Sequence, residues 1–213
     1  MSKGRLISFE GLDGAGKTTQ MDLLERWLQS RGVPYVRTRE PGGTPLGVEI
    51  RRLLLNHPEL AIDPLAEAFL FQADRAQHFA RLVIPALGEG KLVITDRCFD
   101  ASIAYQGYGR GVGAELVEQL SMLATRRHVP DLTILLDLDP SEVHRRTDTS
   151  GDRSGTREER TRFDAEAEDF HRRVQEGFRV LARAHPERIK VVDASRSPEE
   201  IHREIIRLVE PLL

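Results

Sequence analysis

Cysteine occurs once in the 213 residues, at Cys98, asparagine once, at Asn56, and lysine only four times. A lone cysteine excludes a disulfide within the chain and any cysteine-rich zinc site. No apolar run approaches the ~18 residues that a membrane-spanning helix needs. The opening Met1-Ser2-Lys3-Gly4-Arg5 leads into a strand-like run and is not read as a secretory leader. With 31 basic against 34 acidic side chains the formal charge is −3, which removes the bulk attraction to a polyanion. Neither a membrane nor a nucleic-acid polymer is therefore expected as a partner, and a cytoplasmic location is expected. At 39% apolar and 31% charged the composition is that of a globular protein. The length suits one domain over residues 1–213.

Scarce lysine means abundant arginine: 27 of the 31 cations. Most of this skew reads as the codon composition of a GC-rich genome. An arginine placed beside a phosphate is another matter, because its planar fork grips two oxygens where an ammonium offers a point charge. Placement has to separate the two.

Hydrophobic patterning alternates short apolar runs with amphipathic stretches. Residues Arg5–Glu10, Pro34–Thr38, Lys91–Asp96, Asp131–Asp137 and Arg188–Asp193 read as strands. Helices are expected over Lys17–Ser30, Leu46–Leu55, Asp63–Leu87, Ala114–Arg127, Asp164–His185 and from Pro198 onward. Five apolar strands separated by helices predict an α/β fold with a five-stranded parallel sheet covered on both faces. Within the long third helix, Leu65, Phe69, Ala73, Ala76, Ala80 and Val83 form the expected core seam, and His78 is expected on the helix surface.

Gly11-Leu12-Asp13-Gly14-Ala15-Gly16-Lys17-Thr18 fits G-x-x-x-x-G-K-[ST] between a strand and a helix, the setting of a phosphate loop. The loop, continuing to Thr19, is the expected binding segment for a nucleoside triphosphate. Its glycines let backbone N–H groups converge on phosphate oxygens at the positive end of the following helix. Lys17 is expected to neutralise the β- and γ-phosphates, and the Thr18 hydroxyl to ligate Mg²⁺. A guanine-reading Asn-Lys-x-Asp segment is impossible here, since Asn56 is followed by His57-Pro58. That excludes a GTP switch, and a motor or helicase would normally be longer and carry further motifs, which leaves a phosphoryl transferase acting on a small acceptor.

The surrounding segments make this specific. Phe9 through Thr19, Thr38-Arg39-Glu40-Pro41-Gly42-Gly43-Thr44, Asp96-Arg97 running on to Ala104-Tyr105-Gln106-Gly107, and Arg162-Phe163-Asp164-Ala165-Glu166 together resemble the thymidylate kinase family, in that family's order. The resemblance implies a P-loop NTPase fold with a mobile lid, ATP and Mg²⁺ as cofactors, dTMP as the acceptor, and a homodimer. It implies that Arg39 contacts the acceptor's 5′-phosphate and that Arg97 bridges donor and acceptor phosphates. Phe71 would stack on the base, with Arg75 bonding to a ring carbonyl. Ser102 and Gln106 would read the polar edge of thymine, Tyr105 would crowd a 2′-hydroxyl, and Asp13 would reach the 3′-hydroxyl region. Asp96, closing its strand beside the phosphate loop, suits the Mg²⁺ shell directly or through water. A stiff turn at Glu40-Pro41-Gly42-Gly43, for which a cis Glu40–Pro41 bond is one form, would hold Arg39.

Two positions depart from the family pattern: Cys98 stands where an aromatic is common, and Ala101 where a serine is common. In one branch of the family the loop supplies an arginine at the position of Gly14. Here the lid, about residues 145–162, would have to supply that cation. It holds six arginines, 145, 146, 153, 157, 160 and 162, of which Arg153 and Arg157 are the candidates. The activity implied is ATP:dTMP phosphotransfer. Another nucleoside or nucleoside monophosphate kinase and a non-enzymatic ATP-binding regulator are the alternatives.

Overall fold

The protein is described by a computed structural model covering residues 4–139, 142, 163, 166 and 168–213. Five strands, β1 (Arg5–Glu10), β2 (Tyr35–Arg39), β3 (Leu92–Asp96), β4 (Leu132–Asp137) and β5 (Ile189–Asp193), form one sheet in the order β2-β3-β1-β4-β5, with every neighbouring pair parallel. Such runs are apolar on both sides because both faces are covered. Leu6, Val93, Leu135 and Ile189 face one core layer, and Ile7, Ile94, Ile134 and Val192 the other.

The helices are α1 (Lys17–Ser30), α2 (Pro45–Asn56), α3 (Pro64–His78), α4 (Ile84–Gly88), α5 (Phe99–Ser102), α6 (Ala114–Ala124), α7 (Glu168–Ala184) and α8 (Pro198–Val209). The helix expected over Asp63–Leu87 is present in extent, but a π-helical turn, Phe79–Val83, joins α3 to α4. Pro85 has no N–H to offer the carbonyl four residues back, and the Ile84 N–H reaches Phe79 O instead. A second π-helical segment, Ile103–Gly109, extends α5; no helix was expected there.

The expected seam of α3 is wrong. Leu65 and Phe69 are 41% and 51% exposed, and Ala73 and Ala76 also face outward, while Val83 alone of the six is buried. The buried face carries Glu67, Ala68, Gln72, Asp74, Arg75 and His78. Polar groups are buried only with partners, so this inverted helix marks a built polar site. His78, expected on the surface, is fully buried in it.

The register sets the rest. Phe9 pairs with Asp96 and Asp96 with Arg39, so the ends of β1, β3 and β2 meet at one rim of the sheet. Ligands of open α/β sheets bind at this carboxyl rim.

Candidate active site

The turn after β1 is tight because Gly11 has φ 133°, and a Cβ there would lie 2.5 Å from Leu136 O. The loop runs into α1, whose first residue is Lys17 and whose N-terminus has no side-chain cap and no acidic residue in its first turn. Those uncapped N–H groups form an anion site. The Lys17 ammonium is buried against the loop itself, donating to Leu12 O at 3.0 Å and Gly11 O at 3.4 Å.

Arg97 follows β3 in a left-handed conformation, φ 67°, which is strained for a residue with a Cβ. Its backbone N–H donates to Phe9 O, Thr95 Oγ1 donates to its carbonyl, and the Cys98 N–H donates to the buried Glu10 carboxylate at 2.7 Å. Over-determined backbone of this kind aims a side chain. The guanidinium crosses to the phosphate loop, donating to Gly11 O and to Asp13 Oδ1 at 2.7 Å, and lies over the Tyr105 ring. Burial pushes the Asp13 carboxyl up, but the Arg97 guanidinium and then the Lys17 ammonium outweigh it and hold it at about 2.

A cavity of about 410 Å³ lies beside this loop, lined among others by Thr18, Arg39, Gly42, Gly43 and Asp96. Asp96 Oδ1 is buried without a hydrogen-bond partner. Arg51 of α2, which no sequence motif singled out, donates to Pro41 O. Burial, then the neighbouring Arg39 and Arg97 cations, push its guanidinium down, against the pull of Asp96 and Asp13. Like charges crowded in this way favour an anion between them.

Facing this rim, Arg75 is buried and commits three of its five donors: Nε to Glu40 Oε2 at 2.8 Å, Nη1 to Gln72 Oε1 at 2.8 Å, and Nη2 to Ser102 Oγ at 3.1 Å. His78 bonds the other Glu40 oxygen at 2.8 Å and Thr38 Oγ1 at 2.7 Å. Glu40 is thus clamped from both sides, and although burial alone would raise its pKa, the Arg75 charge and the His78 bond lower it. The Glu40–Pro41 bond is cis. Phe71 is half-buried one turn from Arg75, its ring 6.3 Å from that of Phe163. Tyr105 packs edge-on against Phe163, Phe170 and Phe178.

Asp74 ties α3 to the Arg39 turn. Its Oδ1 accepts the Gly42 N–H at 3.0 Å, its Oδ2 is buried without a partner, and a Cβ on Gly47 would collide with it. Burial and then the Glu40 charge raise its carboxyl to about 6, against the lowering influence of Gly42, Arg75 and His78. A carboxyl whose pKa is higher folded than unfolded adds stability that is complete below its unfolded value and is lost as pH rises through the folded one. Asp74→Asn does not titrate. Its unfolding free energy relative to the native chain is therefore expected to grow by about 1 kcal/mol between pH 5 and pH 8. Parallel denaturant melts at the two pH values check this; a gap independent of pH contradicts the titration of Asp74.

A family profile described as thymidylate kinase matches residues 9–205. The chain belongs to the thymidylate kinase family. It is 48% identical over 211 residues to the thymidylate kinase of Pelotomaculum thermopropionicum, covering 99% of this chain and 95% of that protein. It is 47% identical to that of Symbiobacterium thermophilum, covering 97% and 93%. The crystal structure of thymidylate kinase from Ehrlichia chaffeensis is similar with a TM-score of 0.77 at 35% identity, covering 97% of this chain and 98% of that one. The α/β P-loop NTPase fold expected from the sequence is thereby the fold of this family member.

Within this thymidylate kinase family member, Asp13, Lys17, Thr18, Arg39, Asp96 and Arg97 converge on one rim. Phe71 and Arg75 lie on α3 and Ser102, Tyr105 and Gln106 on the facing α5 segment, the gap between the two being bridged by the Arg75–Ser102 and Gln106–Glu67 bonds. Arg153 and Arg157, with the rest of the lid segment 145–162, lie outside the described residues. Sequence reasoning missed Arg51, Glu67, Asp74 and Arg110, and gave Glu40 only as part of the turn that holds Arg39. The position of Glu67 four residues before Phe71, on the stripe that ends in Arg75, was the available signal for one of them. Cys98 is fully buried and its thiol is pushed up, by burial first, so it behaves as packing and not as a nucleophile.

Proposed function

We propose that this enzyme transfers the γ-phosphoryl group of ATP to the 5′-phosphate of dTMP, giving ADP and dTDP. The observation that carries the reading is the convergence, in a chain matched to this family over residues 9–205, of a phosphate loop with Arg39, Arg51 and Arg97, with Phe71 and Arg75 of α3 nearby. The loop N–H groups and Lys17 would hold the donor's β- and γ-phosphates. Arg39 and Arg51 would hold the acceptor phosphate, with Arg97 reaching both. An oxygen of the acceptor phosphate forms the new bond to the γ-phosphorus as the bond to the β-bridging oxygen breaks, and ADP leaves with that electron pair.

No general base is required, because a phosphate monoester is largely dianionic at pH 7, with a second pKa of about 6. The difficulty is to hold two mutually repelling anions in line, which fixed cations accomplish. Phe71 would face the thymine ring, and Arg75 would donate to a ring carbonyl. Ser102 would hold Arg75 in place, Gln106 would meet the polar edge, Tyr105 would lie against the sugar, and Asp13 would reach toward its 3′-hydroxyl.

Mg²⁺ fits Thr18 and Asp96: both line one cavity, and Asp96 Oδ1 is a buried oxygen without a partner. This ion takes one or two protein oxygens and fills its remaining positions with phosphate oxygens and water. Accordingly, no cluster of three or more His, Cys, Asp or Glu is needed, and none occurs among the described residues. When bound, the ion would neutralise charge on the β- and γ-phosphates. The lid arginines Arg153 and Arg157 would complete the positive field over a single catalytic domain, 1–213.

The test is a coupled assay of ADP release with dTMP, dUMP, dGMP and thymidine as acceptors. Preference for dTMP supports the reading. Preference for a nucleoside, or ATP binding without acceptor-dependent turnover, defeats it.

Homodimerisation is part of the same proposal. Helices α2, α3 and α6 pack side by side and present Leu53, Leu65, Phe69, Leu116 and Leu123 to solvent, Leu123 at 73% exposure. Exposed apolar side chains on adjacent helices are what a protein interface would cover. Phe69→Arg is expected to shift the mass in sedimentation from twice the chain mass to one; a native chain that sediments as a monomer contradicts the dimer. No helix among the described residues is long and apolar enough to cross a membrane. The use of ATP as donor favours work in the cytoplasm.

A further inference from the structure

Glu67, Phe71 and Arg75 lie at i, i+4 and i+8 on α3 and so share one stripe. Opposite them, Ser102 and Gln106 are also four residues apart, on the α5 segment. The two stripes pair end to end: Arg75 donates to Ser102, and Gln106 Nε2 donates to Glu67 Oε1 at 2.8 Å. Phe71 sits between the two pairs. Glu67 is buried and paired with Arg110, whose guanidinium lies 3.3 Å from it and also pairs with Glu166.

A carboxylate only accepts hydrogen bonds, so it fixes which end of the Gln106 amide it meets. The NH₂ group must face Glu67, and the carbonyl oxygen must face the other way. Arg75, by contrast, is donor-only. The gap therefore presents a guanidinium donor from one stripe and an amide acceptor from the other. A 4-oxo pyrimidine offers the matching pair, a ring carbonyl and an N3–H. A 4-amino pyrimidine offers the reverse, an amino donor and a bare N3.

We infer that Glu67 is the specificity-determining positioning residue of this site: by locking the Gln106 amide it excludes cytosine nucleotides while leaving uracil and thymine nucleotides equally acceptable at that edge. This rests on the proposal that the base lies against Phe71. Glu67 touches neither phosphate nor base. It acts through Gln106, and its loss lets the amide turn over, so that the gap can present a donor to N3 of cytosine. Sites that must leave a polar group unpaired reject a ligand far more strongly than sites that merely lose a contact.

The experiment compares kcat/KM for dTMP, dUMP and dCMP in the native enzyme and in Glu67→Gln, which keeps the side-chain shape but both donates and accepts. The dTMP:dCMP ratio is expected to fall by at least about tenfold, carried by KM for the acceptor. The dTMP:dUMP ratio and KM for ATP should stay unchanged. A purely structural loss would lower all three acceptors together, and that result overturns the inference, as does an unchanged dTMP:dCMP ratio. If Glu67→Gln does not fold, Glu67→Met, which keeps the length and removes charge and acceptor, is read in the same way. Should the native enzyme itself fail to use dTMP, the function proposed above fails, independently of Glu67.

Discussion

Lys17→Ala is expected to lower kcat by about 10²–10³-fold while leaving the melting temperature close to that of the native chain. The lysine is buried, yet its bonds go to carbonyls of its own loop, at Gly11 and Leu12, and not to the core layers on either face of the sheet. Those carbonyls can be solvated once the ammonium is gone. What cannot be replaced is a fixed positive charge at the mouth of α1, where negative charge builds as the phosphoryl group moves. KM for dTMP should change little, since the proposal puts Lys17 on the donor side. Stopped-time assays at saturating ATP and dTMP read the effect, and near-native turnover would remove Lys17 from the catalytic machinery.

Arg97→Ala should cost as much or more, about 10³-fold in kcat, and should raise KM for dTMP as well. The reason for the combined effect is its position. Its guanidinium spans from the Gly11 carbonyl to Asp13 and lies against Tyr105, between the loop that would hold the donor and the cations that would hold the acceptor. Arg97→Lys should recover only part of the loss, because an ammonium cannot reach two groups as a fork does. Removing the guanidinium also takes away the larger of the two cations that hold the Asp13 carboxyl at about 2. The Asp13 resonance, followed by carbon-detected NMR, should therefore titrate at a higher pH in Arg97→Ala. Partial recovery in Arg97→Lys supports the fork, whereas full recovery shows that charge alone suffices.

Sequence patterning described the strands well because a doubly covered parallel sheet leaves an unambiguous mark. β1 matches its expected bounds, and the other four begin one residue late, with β2 also ending one residue late. The phosphate loop was equally plain, since its glycines and Lys17 are contiguous. The third long helix misled for a physical reason. Periodicity assigns the apolar stripe to the core, but here Leu65 and Phe69 face outward and a polar stripe is buried against Glu40, Ser102 and Gln106. Partners 27 to 39 residues apart cannot be read from spacing. Arg51 and Asp74 were missed on the same account: each matters through groups brought to it by the fold, Arg39 and Arg97 in one case, Gly42 and Gly47 in the other. The α5 segment was not expected, and the glycines at 107, 109, 111 and 113 in and after it are poor helix formers.

The arginine excess resolves along similar lines. Many of the 27 sit in exposed ion pairs such as Arg31–Glu210, Arg52–Glu49 and Arg172–Glu168, which contribute little. Arg39, Arg51, Arg75 and Arg97 instead stand at the rim and the gap, where net charge gave no hint of a local positive field.

The most direct test of that field's purpose is product analysis. ATP labelled in its γ-phosphate is incubated with the purified enzyme and dTMP, and the nucleotides are separated by chromatography. The account predicts that label appears in dTDP in a one-to-one ratio with ADP formed, and that little ADP forms when dTMP is left out. Label released as inorganic phosphate, or ADP produced at the same rate without dTMP, would contradict it.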